Sequence, residues 1–419
     1  MFLQALLEKN RPLAELGLKW QQNGKILPDT YLLDLDTICQ NAAAMKAEAD
    51  KYGIRLYFML KQIGRNPVVA RALMDIGFAG AVCVDYREAL TMIENHIPLG
   101  NVGHLVQVPT AAMDTIVAAH PDIMTVYTLD KVRQIGQSAQ KQGFVQPIML
   151  RVLDKGDMLY SGQYGGFWLS ELEQVTDEIE KIPGVRIAGV CSFPCFLYDE
   201  AKADICPTPN LKTVQKAAEY LRGRGYQKLQ LNMPSASCVH SIAMAAAAGA
   251  THMEPGHGLT GTTPYHATHS DAVEKPAYLY VSEVSHTLGD VSFCYAGGHY
   301  RRGHMKNALV GQKLEDAKLV TAVPPTDESI DYHFELEAPC KVGDSVLLCF
   351  RTQIFVTRSE VAVVKGLAEG KPECLGTTDS LIFYKKLTRN KKWESSLLLY
   401  WMVLVQGRWQ MCRRYAQQI

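Results

Sequence analysis

The sequence predicts an α/β fold, a (β/α)8 TIM-type barrel followed by a second, mainly antiparallel β domain. Between about residues 30 and 275, short apolar segments alternate with amphipathic segments of helical spacing. Each apolar segment is continuous, as expected for strands that are buried on both faces of a parallel sheet. From about residue 276 the helical segments end, and strand-like segments follow one another between glycines and charged turns.

Eight apolar segments are the predicted barrel strands. They are residues 54–61, 79–84, 102–106, 124–128, 147–152, 185–192, 228–232 and 251–254. Eight strand–helix repeats match the number in a TIM-type barrel. A doubly wound open sheet shows the same alternation and is the structural alternative, which the number of repeats disfavours.

By composition the chain divides into a barrel over residues 29–276, a β domain over 277–387 and a C-terminal tail over 388–419, whose role the sequence does not indicate. Predicted strands of the β domain include residues 278–284, 345–350, 354–356 and 361–364. We expect residues 1–28 to join this domain and the strand-like segment 30–36 to pair with it.

The charged residues are balanced, with 43 Lys and Arg against 43 Asp and Glu. Such a balance is not typical of proteins that bind nucleic acid or an anionic membrane, so we expect a small-molecule substrate. The first residues mix charged with apolar side chains and do not resemble a signal peptide. The 11 cysteines form no C-x-x-C pair, which indicates reduced thiols and a cytoplasmic protein.

Lys61 ends the first predicted barrel strand, and barrel enzymes place their catalytic residues at this end of the strands. A lysine there loses part of its hydration, so that its pKa falls and its amine becomes a nucleophile toward aldehydes. The alternative interpretation is a lysine whose ammonium only reaches solvent from the strand end.

Two loops after the seventh and eighth predicted strands occupy the usual phosphate site of such barrels. Ser235 and Ser237 lie in the first loop, before a predicted helix, and Gly256 and His257 lie in the second. Clustered hydroxyl and backbone N–H groups can hold a phosphate. Taken separately, the first loop could be a helix cap and the second a plain turn.

The segment LYFMLKQIGRNPVVARALMDIGFAGAVCVDYREAL, which contains Lys61, resembles the lysine region of the alanine racemase-like superfamily, the fold-type III proteins that use pyridoxal 5′-phosphate (PLP). The resemblance covers roughly residues 28–385 and lies in the order and spacing of motifs. Among its members the chain most resembles the bacterial YhfX-type proteins. The resemblance implies that residues 29–276 bind PLP and that Lys61 holds the cofactor covalently.

The same resemblance implies that Ser235, Ser237 and the backbone N–H groups of Gly256 and His257 hold the cofactor's phosphate. The sequence EPGHG is similar to the E-P-G motif of fold-type III decarboxylases, which implies that Glu254 faces the pyridine nitrogen and favours its protonated form. Alanine racemases carry arginine at this position, so the resemblance does not imply a simple alanine racemase.

Two aromatic residues complete the predicted site. Phe193 follows the strand after which the family places a side chain stacked on the cofactor ring, although a core aromatic would occupy the same place. The segment SFCYAGGHYRR resembles the G-Y-A-D-G-Y-x-R motif of alanine racemases, whose first tyrosine comes from the other subunit. This implies that Tyr295 is a second acid or base in a homodimer with shared active sites. Gly297 replaces the motif's aspartate, and an ordinary β-sheet tyrosine is the alternative.

A divalent metal is the other chemistry to consider. Relatives that bind one use a histidine after a G-D-x-V turn, whereas here Cys349 and Arg351 follow the turn at residues 343–346. A guanidinium repels a cation and binds a carboxylate, so we expect Arg351 to contact the substrate and predict no metal. His266 and His269 have ligand spacing only if they lie on a helix.

The sequence therefore predicts a PLP-dependent enzyme that acts at the α-carbon of an amino acid, as a racemase or epimerase with Lys61 and Tyr295 as its acid–base groups. A PLP-dependent lyase or decarboxylase is the alternative that Glu254 favours. A PLP-binding regulatory protein without turnover and a metal-dependent barrel hydrolase are hypotheses from other classes.

Overall fold

The computed structural model describes residues 2–379. The predicted tail, residues 388–419, and the last residues of the predicted β domain lie outside the described residues. The helices are α1 Phe2–Lys9, α2 Arg11–Gln22, α3 Leu35–Lys51, α4 Pro67–Ile76, α5 Tyr86–Glu94, α6 Met113–Ala118, α7 Leu129–Lys141, α8 Leu172–Glu180, α9 Pro209–Gly223, α10 Val239–Ala247 and α11 Pro264–Thr268. The strands are β1 Thr30–Asp34, β2 Arg55–Leu56, β3 Phe58–Met59, β4 Ala81–Cys83, β5 Leu99–Val102, β6 Ile123–Val126, β7 Gln146–Leu153, β8 Phe167–Trp168, β9 Val185–Cys191, β10 Phe196–Asp199, β11 Asp204–Pro207, β12 Gln230–Asn232, β13 His252–Met253, β14 Tyr278–Leu288, β15 Val291–Tyr295, β16 Asn307–Gly311, β17 Lys318–Val323, β18 His333–Leu336, β19 Ser345–Leu348, β20 Glu360–Lys365 and β21 Glu373–Asp379.

Parallel strands form a barrel in the order β3-β4-β5-β6-β7-β9-β12-β13-β2. Because a single residue, Tyr57, separates β2 from β3, these two segments are one strand that closes the barrel. The N–H of Tyr57 donates to the carbonyl of Met253 in β13 at 3.0 Å, and the N–H of Phe58 donates to Gly80, before β4, also at 3.0 Å. This eight-stranded barrel confirms the predicted fold class and excludes the doubly wound open sheet.

The third barrel strand, β5, begins three residues before the predicted segment 102–106. Gly100 and Asn101 interrupt the apolar pattern that would have revealed it. A Cβ at position 100 would overlap the ring of Tyr57 inside the barrel, and Asn101 is fully buried. Val106, which the pattern assigned to a strand, follows the end of β5 and is 46% exposed.

Helix caps fix two loops at the C-terminal end of the barrel. Asn66 caps α4 by accepting hydrogen bonds from two N–H groups of the first turn, at 2.9 and 3.3 Å. Asp85 caps α5 by accepting from the N–H of Glu88 at 2.9 Å. Caps of this kind stabilise a helix by about 1 kcal/mol. These two hold the chain segments that carry Lys61 and Glu88.

The β domain contains a second sheet, in the order β15-β18-β17-β16-β19-β14-β1-β20-β21. Its neighbouring strands are antiparallel except β1 and β20, which are parallel. Residues 30–34 of the strand-like segment 30–36 form β1 and belong to this sheet, whereas Leu35 and Asp36 begin α3. Residues 354–356, predicted as a strand, form one 3-10 turn instead. The carbonyl of Phe355 there accepts a hydrogen bond from the side chain of Arg65 in the barrel, at 3.2 Å, where a strand residue would accept one from a neighbouring strand.

The N-terminal helices pack against this sheet. Leu13 and Trp20 of α2 share one buried apolar cluster with Leu279 of β14 and Leu347 of β19. A Cβ at Gly17 would meet the side chain of Leu279, so the glycine permits the close approach of helix and sheet.

Candidate active site

Loops at the C-terminal ends of the barrel strands and loops of the β domain enclose a cavity of about 550 Å³. Of the predicted site residues, Tyr295 does not line this cavity. The remaining predicted site residues all do, namely Lys61, Phe193, Ser235, Ser237, Glu254, Gly256, His257 and Arg351. Residues that are far apart in the sequence therefore meet in one place, while their chemical roles stay predictions.

Lys61 lies in the turn between β3 and α4, two residues after the strand ends at Met59. Its side chain is 7% exposed. Burial lowers the pKa of its ammonium, and the nearby Arg351 lowers it further, while the carboxylates of Glu88 and Glu254 oppose the shift. A buried amine with a lowered pKa is more often deprotonated near neutral pH and is then a nucleophile.

Glu88 belongs to the surroundings of Lys61, although sequence reasoning missed it. Its side chain is fully buried, Oε2 accepts a hydrogen bond from the N–H of Val84 at 2.7 Å, and Oε1 has no partner among residues 2–379. Burial raises the pKa of Glu88, and the charge of Lys61 acts against this. The charges of the two buried groups thus act on each other through space. In the sequence, Glu88 looks like any acid in an amphipathic helix.

Glu254 follows β13 and is 4% exposed. Its Oε1 accepts hydrogen bonds from the side-chain amides of Asn101 at 2.7 Å and Asn232 at 2.5 Å. Its Oε2 has no hydrogen-bond partner among the residues that the structure describes. Burial raises the pKa of Glu254 to about 6, and the two amides and Lys61 limit the shift. One oxygen is thus fixed, and the other is available to a donor such as a protonated ring nitrogen.

His104 and Phe193 pack next to this carboxylate. Nε2 of His104 lies 3.7 Å from Oε2 of Glu254. Burial lowers the pKa of His104 well below its ordinary value, so the imidazole is neutral and the contact is not an ion pair. The ring of Phe193 meets the ring of His104 edge-on, with centroids 5.4 Å apart. An aromatic side chain on the cavity wall can pack against a flat ligand through dispersion.

The two predicted phosphate loops present free polar groups. Ser237 Oγ and His257 Nε2 are buried and have no partner within residues 2–379. Burial lowers the pKa of His257 well below its usual range, so this imidazole is also neutral. A Cβ at Gly256 would come within 2.9 Å of Cδ of Gln62, so the absence of a side chain lets this loop lie close to the Gln62 amide. Together with the free oxygen of Glu254, these groups fit PLP, which is a flat ring with a basic nitrogen and a phosphate.

Three arginines of the β domain line the cavity, Arg301, Arg302 and Arg351, and sequence reasoning predicted only Arg351. Its Nε lacks a hydrogen-bond partner within the described part of the chain. The guanidinium of Arg302 lies 4.2 Å from the ring centroid of Tyr160, and its Nε donates to the hydroxyl of Tyr300 at 2.9 Å. Arg301 forms an ion pair with Asp327 at 2.7 Å, and nothing in the sequence marked either residue of this Arg301-Arg302 dipeptide as part of the site.

Tyr295 is the last residue of β15 and is 41% exposed. Its ring centroid lies 6.0 Å from that of His333, in the β domain. Within one chain the structure therefore does not bring Tyr295 to Lys61. A role for this tyrosine in the site requires a second subunit, as the motif implies.

Asp29 explains the missing aspartate of the Tyr295 motif. A Cβ at Gly297 would overlap the carboxylate of Asp29. This carboxylate accepts hydrogen bonds from the hydroxyls of Tyr280 at 2.7 Å and Ser359 at 2.5 Å. A carboxylate from another part of the chain thus occupies the space beside position 297.

His266 and His269 do not converge on one point. The ring of His269 stacks on Tyr265 with centroids 4.1 Å apart, whereas Nε2 of His266 contacts Glu274 at 3.0 Å. The sulfur of Cys238 lies within 4.8 Å of donor atoms of His266 and Glu274. Burial raises the pKa of Cys238 to about 12, which disfavours the thiolate that a metal needs. The cluster is typical of a hydrogen-bonded core pair beside a buried thiol.

Two family models match the chain. The model of the alanine racemase N-terminal domain matches residues 33–264, and the model of the YhfX-like C-terminal domain matches residues 279–374. The chain belongs to the alanine racemase-like, fold-type III family. This confirms the family that the motifs predict. The uncharacterised protein YhfX of Escherichia coli (strain K12) is 44% identical to this family member over 385 residues, which are 91% of the chain and 98% of that protein.

Solved structures share the fold of this alanine racemase-like chain. D-Threonine aldolase from Filomicrobium marinum has a TM-score of 0.60 and 16% identity, with 81% of this chain and 91% of that one covered. Alanine racemase from Clostridium difficile 630, in complex with cycloserine, has a TM-score of 0.60 and 14% identity, with coverage of 85% and 99%. Diaminopimelate decarboxylase from M. jannaschi has a TM-score of 0.59 and 12% identity, with coverage of 84% and 89%.

These identities support the shared fold, and the three names state three different activities. The described helices include none with the length and apolar character that a membrane span requires.

Proposed function

We propose that this protein is a PLP-dependent enzyme that acts at the α-carbon of an amino acid, with Lys61 as the residue that binds the cofactor covalently. The observation that carries the proposal is the position of Lys61, a buried amine with a lowered pKa, in one cavity with the free oxygen of Glu254 and the free hydroxyl of Ser237. Membership of the alanine racemase-like family supports it.

Different residues of the cavity would bind different parts of such a cofactor. Ser235, Ser237 and the Gly256–His257 backbone would hold the phosphate, and Phe193 would pack against the ring. Glu254 would favour the protonated ring nitrogen, because a nearby opposite charge stabilises the charged form. When bound, PLP supplies an electron sink for negative charge at the α-carbon of the substrate.

The chain's own residues would orient the substrate and move its α-proton. The guanidinium of Arg351 binds the substrate's α-carboxylate, which places the α-carbon beside Lys61. Lys61 accepts the α-proton on one face or returns it there, with Glu88 as the buried carboxylate that stabilises the ammonium. Racemisation requires a second group on the opposite face. In the proposed homodimer this group is Tyr295 of the partner subunit.

A lyase or decarboxylase is the second candidate, and Glu254 favours it. A carboxylate at the ring nitrogen strengthens the electron sink beyond what proton exchange alone requires, and so suits the breaking of a carbon–carbon bond. This reaction type needs no acid–base group at Tyr295. Incubation of single enantiomers, with optical rotation, ammonia and carbon dioxide followed together, separates the two candidates.

The test of the proposed function is chemical labelling at Lys61. Protein reconstituted with PLP, reduced with borohydride, digested and weighed by mass spectrometry should carry the cofactor's mass on the peptide that contains Lys61. The matched control is Lys131→Ala, since burial also lowers the pKa of Lys131, which lies outside the cavity. An unmodified Lys61 peptide, or an unchanged absorption spectrum in Lys61→Ala, would refute the proposal. Exchange of the α-proton in deuterated water, over a panel of L- and D-amino acids, then shows turnover.

A further inference from the structure

The cavity contains a second cationic position at its mouth, formed by Arg302. We infer that the substrate carries a second anionic group, a carboxylate or a phosphate at the end of its side chain, which binds this guanidinium. The inference rests on the proposed function and names the substrate class for the same site.

The first argument is the balance of charge on the cavity wall. Lys61, Arg301, Arg302 and Arg351 line it, and of the described lining residues Glu200 and Glu254 carry the carboxylates. Oε1 of Glu254 already accepts hydrogen bonds from the side-chain amides of Asn101 and Asn232. Cations in a partly desolvated cavity are costly without a counter-charge, so the wall favours a ligand with several negative charges.

The second argument is that the cofactor's phosphate and the substrate's negative groups would bind to different donors. The barrel loops supply their own phosphate donors, which include the free hydroxyl of Ser237 and the backbone at Gly256. Arg302 and Arg351 come from the opposite side, from the β domain. Arg351 is the less exposed of the two, and its charge acts more strongly than that of Arg302 on both Lys61 and His257. The α-carboxylate satisfies Arg351 and leaves Arg302 without an anion.

The third argument is the fixed position of the Arg302 guanidinium. It lies over the ring of Tyr160, while its Nε donates to Tyr300. The guanidinium is therefore held in one orientation by the two tyrosines, and a planar guanidinium in a fixed orientation suits a carboxylate or a phosphate bound through two hydrogen bonds. The adjacent Arg301 also lines the cavity, but its charge is already paired with that of Asp327, at 2.7 Å.

The test measures binding to the PLP-loaded protein by isothermal titration calorimetry, with ligand pairs that differ in the distal charge. Glutamate is compared with glutamine, and phosphoserine with serine, each as both enantiomers. We expect one charged member to bind about tenfold or more tightly than its neutral partner, since a hydrogen bond between charged groups is stronger than one between neutral groups. A preference within the glutamate pair identifies a distal carboxylate, and a preference within the phosphoserine pair identifies a phosphate.

The variant Arg302→Gln should remove this preference and leave the affinity for PLP and for serine unchanged. Arg301→Gln is the matched control and should retain the preference. Equal binding of charged and neutral partners would overturn the inference, and so would a loss of PLP affinity in Arg302→Gln, since the arginine would then serve the cofactor's phosphate. If wild-type protein binds no PLP at Lys61, the proposed function fails and the inference falls with it.

Discussion

The side-chain amide of Asn101 donates a hydrogen bond of 2.7 Å to Oε1 of Glu254, and the amide of Asn232 donates to the same oxygen at 2.5 Å. Because both donors use Oε1, Oε2 is left without a partner among the described residues. Asn101 lies on β5 and Glu254 follows β13, so the first bond connects strands that are not neighbours in the barrel. The free oxygen is therefore held in place by two sides of the barrel wall.

Replacement of Glu254 by glutamine should leave the fold and covalent labelling at Lys61 intact and slow α-proton exchange by about 100-fold or more. The amide has no charge with which to stabilise a protonated ring nitrogen. Exchange rates in deuterated water, measured by proton NMR, provide the check. Glu200→Gln, which removes another carboxylate of the cavity wall, should change the rate little. An unaltered rate in Glu254→Gln would show that the ring nitrogen does not depend on this residue.

The stability of the cofactor-free protein should depend on pH through Glu254. Burial raises its pKa from 4.5 to about 6, so the folded state binds this proton more tightly than the unfolded state does. The stability gained is fully present below about pH 4.5 and is lost as the pH rises through about 6. Relative to Glu254→Gln, the free energy of unfolding of the wild type should fall by about 2 kcal/mol across this range. Urea unfolding of both proteins between pH 4 and 7 measures it, and a constant difference would contradict the prediction.

Replacement of Gly258 by alanine should disturb the loop that carries Ser237. The new Cβ would overlap the backbone carbonyl of Ser237 and lie 3.2 Å from the sulfur of Met45. Overpacking of this kind lowers the free energy of unfolding by about 1–3 kcal/mol, and the shifted loop should also bind PLP less tightly. The control is Gly223→Ala at the end of α9, where a Cβ meets nothing within 4 Å. Urea unfolding and cofactor titration test both variants, and equal results would show that the loop tolerates the methyl group.

The barrel could be predicted because its strands are apolar runs that hardly depend on context. The exception was β5. Gly100 there leaves space for the ring of Tyr57, and Asn101 donates a hydrogen bond to Glu254. These two residues interrupt the apolar pattern by which a barrel strand is recognised in a sequence. Lys61 and Glu254 were found because each lies in a local motif. Glu88 and Arg302 have no such motif, since their positions near the cavity depend on how distant segments meet.

A test for Tyr295 follows from its position outside the cavity of its own chain. If the tyrosine completes the partner's site, Lys61→Ala and Tyr295→Phe homodimers should both lack racemisation. A mixed dimer of the two variants has one site with both substitutions and one intact site. Random mixing gives half of the protein as mixed dimers, so about one quarter of the wild-type activity should return. The mixture is prepared by unfolding the two variants together and refolding them, and each variant refolded alone is the control.

The same mixture distinguishes the alternatives for this tyrosine. If Tyr295 acted within its own chain, every site in the mixed dimer would lack one group and no activity would return. If it were an ordinary β-sheet residue, Tyr295→Phe alone would keep its activity. The structure disfavours a role within the same chain, because Tyr295 is 41% exposed on β15 while Lys61 is buried in the cavity; the mixture decides between the shared site and an ordinary β-sheet residue.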